Sequence, residues 1–277
     1  MAPVPIPAVG LNTGAEMPQL GFGVFRVDDS YAAVTPALAA GYRLIDTAAS
    51  YGNEVGVGRA IRESGVGRAD LFVTTKLANS DQGYDATLRA FDASLSRLEL
   101  ETVDLYLIHW PVPARDQYLE SWRALEVIHA SGRALAIGVC NFGVDHLRRL
   151  IGNCAVVPAV NQVELHPGYP QLELRELHRE LGIVTEAWSP LARGTALLDR
   201  PDVAQLAAAI GRTPAQVVLR WHLEEGHVVI PKSITPARIL ENLDVFDFAL
   251  TPEQHAFLDR MVEPARVGPD PETFGSL

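Results

Sequence analysis

Four ionisable side chains stand at or just after the ends of short apolar runs in the first half of the chain: Asp46, Tyr51, Lys76 and His109. Because a phenol is a weak acid near neutral pH, a tyrosine needs a neighbouring cation to act as a proton donor. Lys76 is suited to stabilise the phenolate of Tyr51, and Asp46 to keep the ammonium group of Lys76 charged. His109 Nε2 is suited to donate a hydrogen bond to a substrate oxygen. Together these residue types predict proton transfer to a carbonyl group.

Three other interpretations stay open from this pattern alone. A buried Asp–Lys pair is often structural, although four polar side chains from adjacent strand ends argue against a purely structural account. Schiff-base lyases also use a lysine at the end of a barrel strand, like Lys76, as their nucleophile, and these enzymes need no nicotinamide. The third interpretation is a non-catalytic barrel that binds the nucleotide without turnover. The intact set of four argues against it, because binding alone does not require all of them.

The elements that must position these side chains follow an alternation of strand-like runs and amphipathic segments rich in Ala and Leu. The strand-like runs lie at about 20–24, 43–46, 71–75, 104–109, 134–139, 157–163, 183–187 and 227–230. Asn53, after the first loop, is predicted to cap the helix that follows. Eight repeats predict an α/β fold of the (β/α)8 TIM barrel type, with the carboxyl ends of the parallel strands on one face.

Four segments lie outside the eight repeats. Residues 8–20 contain Asn-Thr-Gly between short apolar pieces, which predicts an N-terminal hairpin that closes the bottom of the barrel. Two accessory helices are predicted, because residues 202–210 and 213–224 supply two helices where one would suffice and Thr251-Pro252 starts another. The tail from Glu263 onward is expected to lie over the barrel mouth or to be loose.

Length and composition limit the function classes. At 277 residues the chain fits one barrel domain over residues 1–277, since such barrels commonly have about 250 residues. The formal net charge of −11 opposes binding to nucleic acid, whose phosphates require a basic surface. The start MAPVPIPAVG lacks the features of a secretory leader, and no stretch reaches the roughly 20 apolar residues of a membrane span. Cys140 and Cys154 show no metal-ligand spacing. We therefore expect a cytoplasmic protein with reduced thiols and no metal, and we expect it to be a monomer.

A second group of side chains is suited to bind a phosphate. No G-x-G-x-x-G follows a strand, which excludes a Rossmann nucleotide domain. Instead, IPKSITPARILEN follows the eighth run and opens a helix, with Lys232, Ser233 and Arg238 close to its start. A helix N-terminus with such donors binds phosphate, and the loops after the last barrel strands are a usual place for one. A solvated basic segment is the alternative, but cations at a helix start oppose the helix dipole, which favours a bound anion.

Several stretches together resemble the aldo-keto reductase family over essentially the whole chain. They are GYRLIDTAASYGNE, LYLIHWP, NQVELHP and IPKS followed by Arg238, Glu241 and Asn242, and the greatest resemblance is to the bacterial 2,5-diketo-gluconate reductase group. The resemblance implies NADPH as cofactor, the same four catalytic roles, and Tyr51 as the general acid. It implies that Lys232, Ser233 and Arg238 hold the 2′-phosphate. Glu241 and Asn242 would reach the adenine.

The same resemblance assigns residues to the rest of the cofactor. Trp188 would stack on the nicotinamide ring, and Asn141 and Gln162 would bind its carboxamide. Cys140 stands where the family usually has a serine, so one hydrogen bond to the carboxamide is expected to be weak. The positions that meet the pyrophosphate match Ser189 and Leu191.

The resemblance also places the substrate pocket. Phe25, Ser50 and Trp110 would line it, and the residue two after Lys76, often aromatic in relatives, is Ala78, which is expected to enlarge the mouth. Such a mouth would admit bulky or varied carbonyl substrates, and the expected reaction is the reduction of aldehydes and ketones, including α-dicarbonyls and keto acids, to alcohols. Two further polar residues near the strand ends are candidates for structural anchors, Glu164 and Glu186, and His166 is expected to form a turn or to support the site from behind its first layer of residues.

Overall fold

The computed structural model describes residues 6–194, 196–263 and 265–275. Within these ranges the strands are β1 (Ala8–Gly10), β2 (Glu16–Pro18), β3 (Gly21–Gly23), β4 (Leu44–Asp46), β5 (Phe72–Leu77), β6 (Val103–Ile108), β7 (Ala134–Cys140), β8 (Val160–Glu164), β9 (Val184–Trp188) and β10 (Val228–Val229). The helices are α1 (Ser30–Ala40), α2 (Glu54–Glu63), α3 (Tyr84–Leu98), α4 (Tyr118–Ala130), α5 (Val144–Ile151), α6 (Leu172–Leu181), α7 (Pro201–Ala209), α8 (Pro214–Glu224), α9 (Pro236–Leu243) and α10 (Pro252–Asp259). None of the helices in the described ranges has the length and apolar character needed to cross a membrane.

Strands β3 to β10 pair in sequence order as one parallel sheet. A parallel bridge between Leu20, just before β3, and Val229 in β10 joins the two edges and closes the barrel. Asp46, the last residue of β4, lies beside Gly23 of β3 and Thr74 of β5, so the ends of these strands reach the same face. The predicted (β/α)8 barrel is confirmed. Among the strand starts, the largest difference between prediction and structure is at β8. This strand begins at Val160 rather than at residue 157, because Pro158 has no N–H to pair.

Apolar side chains fill the part of the barrel interior near the amino ends of the strands. Leu44, Phe72, Leu105 and other residues from six strands form one buried cluster. Leu11 and Met17, from the hairpin β1–β2, belong to the same cluster. The hairpin therefore closes this end of the barrel, as predicted.

The accessory helices α7 and α10 are present, and the sequence signals that predict α8 and α10 act as expected. Thr213 accepts a hydrogen bond from the backbone N–H of Gln216, whose side chain accepts one from the N–H of Thr213. Thr251 and Gln254 make the same capping box at the start of α10. Each box is followed by a proline in the first turn, and each cap stabilises its helix by about 1 kcal/mol.

Asn53 occupies the cap position of α2, but its side chain does not cap the helix. Its Nδ2 donates to the carbonyl oxygens of Val24 and Val27, at 2.9 and 3.2 Å, and its Oδ1 accepts from Thr47 Oγ1 at 2.9 Å. The prediction of a cap is therefore wrong about the contact. The side chain instead ties together the loops that follow β3 and β4.

Candidate active site

The four predicted catalytic residues come together at the carboxyl-terminal mouth of the barrel. Asp46 ends β4 and Lys76 lies near the end of β5. His109 directly follows β6, and Tyr51 ends a short 3-10 turn after β4. Gly52, with φ of 68°, takes the left-handed conformation that reverses the chain between this turn and α2.

Lys76 and Asp46 form a buried ion pair. Lys76 Nζ lies 2.6 Å from Asp46 Oδ1 and 2.7 Å from Oδ2, and it donates a further hydrogen bond of 2.9 Å to the carbonyl oxygen of Thr47. The two side chains are 0% and 2% exposed, so the charges depend on these contacts rather than on water. Burial lowers the pKa of Lys76, but Asp46 and Tyr51 outweigh it and raise the pKa above its ordinary value. The lysine therefore stays an ammonium ion.

Tyr51 packs between this ion pair and the aromatic rings of the mouth. Lys76 Nζ lies 5.1 Å from the centroid of the Tyr51 ring. The rings of Phe25 and His109 lie 5.1 and 5.5 Å away. Burial raises the pKa of Tyr51 above its ordinary value, and the charge of Lys76 offsets only part of this effect. Tyr51 therefore keeps its proton at neutral pH, where it can protonate a base much stronger than a phenolate, such as an alkoxide.

His109 contacts Tyr51 through its ring and Ser50 through Nδ1, which lies 3.1 Å from Ser50 Oγ. Burial, followed by the charge of Lys76, lowers the pKa of His109 to about 3, so the imidazole is neutral at physiological pH. The direction of this hydrogen bond depends on the tautomer; with Ser50 as the donor, the neutral ring carries its hydrogen on Nε2. This arrangement agrees with the predicted role of Nε2 as a donor to a substrate oxygen.

A chain of side-chain hydrogen bonds connects Trp188 to Asp46. Trp188 Nε1 donates to Asn141 Oδ1 at 2.7 Å, and Asn141 Nδ2 donates to Cys140 Sγ at 3.1 Å. The Cys140 thiol lies 3.7 Å from Gln162 Oε1, and Gln162 Nε2 donates to Asp46 Oδ2 at 2.8 Å. Burial raises the pKa of the Cys140 thiol, which keeps the S–H in place as a donor. The residues predicted to meet the nicotinamide are thus one connected unit with the catalytic ion pair.

Glu186 also reaches this unit from β9, where it precedes Trp188 by two positions. Gln162 Nε2 donates to Glu186 Oε2 at 2.9 Å, whereas Glu186 Oε1 is buried without a hydrogen-bond partner in the described ranges. Burial, followed by the charge of Asp46, raises the pKa of Glu186 to about 8. From the sequence, Glu186 was expected to be only a structural anchor. The period of two along a strand was the available signal, because Glu186 and Trp188 must face the same side of the sheet.

The loop after β9 carries the residues matched to the pyrophosphate. Ser189 has φ of 48°, a left-handed conformation that non-glycine residues seldom adopt. Its carbonyl oxygen accepts from the N–H of Ala192 at 2.9 Å, and that of Leu191 accepts from Gly194 at 2.8 Å. Ser189 and Leu191 are both partly exposed in this pair of turns, and their cofactor role stays a prediction.

Residues 265–275 cover the mouth, which is one of the two expectations for the tail. Glu164, the last residue of β8, accepts hydrogen bonds from the backbone N–H groups of Val267 and Gly268, the second at 2.8 Å. A Cβ atom at Gly268 would lie only 2.3 Å from the Trp188 ring, so glycine is required for this close approach. Glu164 therefore anchors the tail against the indole, a contact that was not predicted.

The residues predicted to line the substrate pocket surround the same mouth. Phe25 is 48% exposed, Ser50 is exposed and Ala78 is half-buried. Trp110 is buried, since the Phe274 ring of the tail packs on it with 4.2 Å between centroids. Phe274 thus adds an aromatic wall that was not predicted.

The predicted phosphate group lies just before and within the first turn of α9. Lys232 and Arg238 are exposed, and neither has an ion-pair partner within the described residues. Ser233 is buried and forms a local turn, in which its Oγ accepts from Thr235 N at 3.1 Å. Two cations without an anionic partner at a helix start are suited to hold a phosphate.

The two residues predicted to reach the adenine differ in their contacts. Glu241 accepts a hydrogen bond of 2.6 Å from Thr213 Oγ1, so its carboxylate also ties α9 to the start of α8. Asn242 is 5% exposed, and its side-chain amide makes no hydrogen bond to the described part of the chain. The Asn242 amide is therefore available to a ligand.

Comparison with known proteins points to one family. The model of the aldo/keto reductase family matches residues 13–263. Morphine 6-dehydrogenase of Pseudomonas putida is 51% identical over 280 aligned residues, covering 96% of this chain and 94% of that protein. Glyoxal reductase of Bacillus subtilis is 50% identical over 267 residues, covering 95% and 96%. The solved structure of a Gox0644 mutant in complex with NADPH has a TM-score of 0.92 at 44% identity, covering 98% of this chain and 99% of that one.

Proposed function

The chain belongs to the aldo/keto reductase family, and from this premise we propose that Tyr51 is the proton donor in its NADPH-dependent reduction of aldehydes and ketones. The protein is an oxidoreductase of that family. The observation that carries the assignment is the position of the Tyr51 ring, 5.1 Å from Lys76 Nζ and 5.5 Å from the His109 ring. No other described tyrosine has both a buried ion pair and a neutral imidazole as neighbours.

The side chains at the mouth and at α9 fit NADPH. Lys232 and Arg238 offer two exposed cations to the 2′-phosphate, and Asn242 offers an amide that has no hydrogen-bond partner in the described ranges. Trp188 offers a flat apolar face beside Asn141. When bound, NADPH supplies the hydride that the carbonyl carbon accepts.

Tyr51 completes the reduction by giving its phenolic proton to the developing alkoxide. The negative charge then resides on the Tyr51 oxygen, close to the ammonium group of Lys76, which stabilises it. Asp46 holds that ammonium group in place through both carboxylate oxygens. His109, neutral and hydrogen-bonded to Ser50, orients the substrate oxygen towards Tyr51 without competing as a proton donor.

The contacts of Lys76 oppose the Schiff-base alternative. A lysine that forms a Schiff base must be a neutral amine, and its nitrogen must be accessible. Lys76 is fully buried, its pKa is raised, and it donates to both oxygens of Asp46 and to Thr47. This nitrogen is therefore not available as a nucleophile.

For the substrate class we propose small α-dicarbonyls and keto acids. Phe25, Trp110 and Phe274 give the mouth aromatic walls, and Tyr51 and His109 give it a polar floor. One relative that is 50% identical is a glyoxal reductase, and this activity agrees with a small dicarbonyl substrate. We also propose that the chain forms a single domain over residues 1–277, that it is a monomer and that it is cytoplasmic.

The test is the consumption of NADPH by the purified protein with a panel of aldehydes, α-dicarbonyls, keto acids and simple ketones, repeated with NADH. We expect turnover that prefers NADPH and is fastest with the dicarbonyls. Fast turnover of simple ketones alone would contradict the proposed substrate class. Borohydride trapping with substrate, followed by mass spectrometry of the Lys76 peptide, should leave that peptide unlabelled.

A further inference from the structure

Gln162 lies between two buried carboxyl groups. Its Nε2 donates one hydrogen to Asp46 Oδ2 at 2.8 Å and the other to Glu186 Oε2 at 2.9 Å. Its Oε1 faces the thiol of Cys140 at 3.7 Å. The opposite orientation of the amide would turn its oxygen towards the carboxylate of Asp46, which has no hydrogen to donate. Asp46 therefore fixes the orientation of Gln162, and Glu186 Oε2 accepts the second hydrogen of the amide.

The two carboxyl groups differ in the number of donors that reach them. Asp46 receives two hydrogen bonds from Lys76 and one from Gln162. Glu186 receives only the one from Gln162, and its Oε1 has no donor among the described residues. An ionised carboxylate buried with a single neutral donor is far more costly than a neutral acid. This count makes Glu186 the uncharged member of the pair.

The charged and titratable groups around Glu186 support the same assignment. Asp46 from β4 disfavours a second negative charge, and Lys76 from β5 favours one less strongly. Cys140, from β7, is a neutral thiol, and Gln162, from β8, is not titratable. Burial is the largest effect, and the pKa of Glu186 is raised to about 8.

We propose that Glu186 is a positioning residue of the reductase site: as a neutral carboxylic acid it holds the Gln162 amide in place and leaves Asp46 as the sole carboxylate opposite Lys76. The inference rests on the proposed function, because the consequence of losing Glu186 is expected at NADPH binding and at Tyr51. An ionised Glu186 would add a negative charge near Lys76 and make Tyr51 a weaker acid. Reduction should therefore slow as Glu186 loses its proton.

The test compares Glu186→Gln, which keeps a neutral acceptor, with Glu186→Leu, which removes it. We expect Glu186→Gln to bind NADPH within about threefold of the parent by fluorescence titration, and Glu186→Leu to bind about tenfold more weakly because Gln162 loses one acceptor. In the parent, kcat should fall through an inflection near pH 8, and this inflection should be absent in Glu186→Gln. The matched control is Glu164→Gln, which replaces the buried carboxyl group that holds the tail. This variant should keep the inflection.

Three results would overturn the proposal. Equal NADPH affinity of the parent and Glu186→Leu would show that Glu186 does not position Gln162. An equal loss of NADPH affinity in Glu186→Gln and Glu186→Leu would show that the negative charge is needed. An inflection that persists in Glu186→Gln would belong to another group. All three differ from absence of turnover in the parent, which would instead contradict the proposed function.

A second measurement decides the matter if Glu186→Leu does not fold. A carboxyl group whose pKa is raised on folding destabilises the folded state as pH rises from its unfolded pKa, about 4.3, towards its folded pKa. The Tm of Glu186→Gln should therefore exceed that of the parent by an amount that grows from about pH 5 to about pH 8 and is constant above. A difference independent of pH would contradict a neutral Glu186.

Discussion

Lys76 Nζ lies within 2.7 Å of both carboxylate oxygens of Asp46, although neither side chain is more than 2% exposed. Removing one partner of such a pair leaves an uncompensated buried charge, which costs about 3–5 kcal/mol. We therefore expect Asp46→Asn to lower the free energy of unfolding by this amount in a denaturant titration. The double variant Asp46→Asn with Lys76→Met should recover most of the stability but no activity. A loss below about 1 kcal/mol in the single variant would contradict the account of the pair.

Arg238 is exposed at the start of α9 without an ion-pair partner among the described residues. If it binds the 2′-phosphate, Arg238→Ala should weaken NADPH binding by about 10- to 100-fold and leave NADH binding nearly unchanged. Fluorescence titration with both nucleotides measures the difference. Arg89→Ala, which removes an exposed arginine from α3, is the matched control and should change neither affinity. Equal losses of NADPH and NADH affinity in Arg238→Ala would show that the arginine does not bind the 2′-phosphate.

Gly268 lies against Trp188 and Glu164 so closely that an added methyl group must move the tail. We expect Gly268→Ala to cost about 1–3 kcal/mol of local stability and to expose the tail. Limited proteolysis followed by mass spectrometry should show faster cleavage after residue 262 than in the parent. Gly10→Ala adds a methyl group where no atom from a contacting part of the described chain lies within 4 Å, and it should leave the cleavage rate unchanged. Identical cleavage in both variants would mean that the tail does not depend on this contact.

Four histidines with a strongly lowered pKa couple stability to pH: the partly buried His109 and the buried His178, His222 and His227. Burial lowers the pKa of the first three to about 3 and that of His227 to about 2. An unfolded histidine has a pKa near 6.5, so between about pH 3 and pH 6.5 the unfolded chain binds more protons than the folded protein. The Tm should therefore fall steadily as the pH is lowered from about 6.5 to 5. A Tm that stays constant over this interval would contradict neutral, buried imidazoles.

The barrel could be predicted because its strands are buried on both faces and therefore read as short apolar runs. The ionisable residues that end three of these runs, Asp46, Lys76 and His109, could be placed together because parallel strands end on one face. Threonine followed by proline marked the start of α8 by a local rule. All of these signals lie within a few neighbouring residues.

The contacts that could not be predicted join distant parts of the chain. Gly268 donates to Glu164 across 104 positions, and Gln162 joins Asp46 across 116. No periodicity links such residues, since their contact depends on how the barrel closes. Asn53 shows the same limit, because its partners Val24 and Val27, 29 and 26 positions away, replace the local cap that its position favours.

The most direct test of the central claim is the single-turnover rate of Tyr51→Phe with bound NADPH and an α-dicarbonyl. The substitution removes only the phenolic hydroxyl, so the ring contacts with Phe25 and His109 can persist. We predict unchanged NADPH affinity and a rate about 100- to 10,000-fold lower than that of the parent, the range expected for loss of a general acid. A rate equal to that of the parent, at equal NADPH affinity, would show that the proton comes from another group.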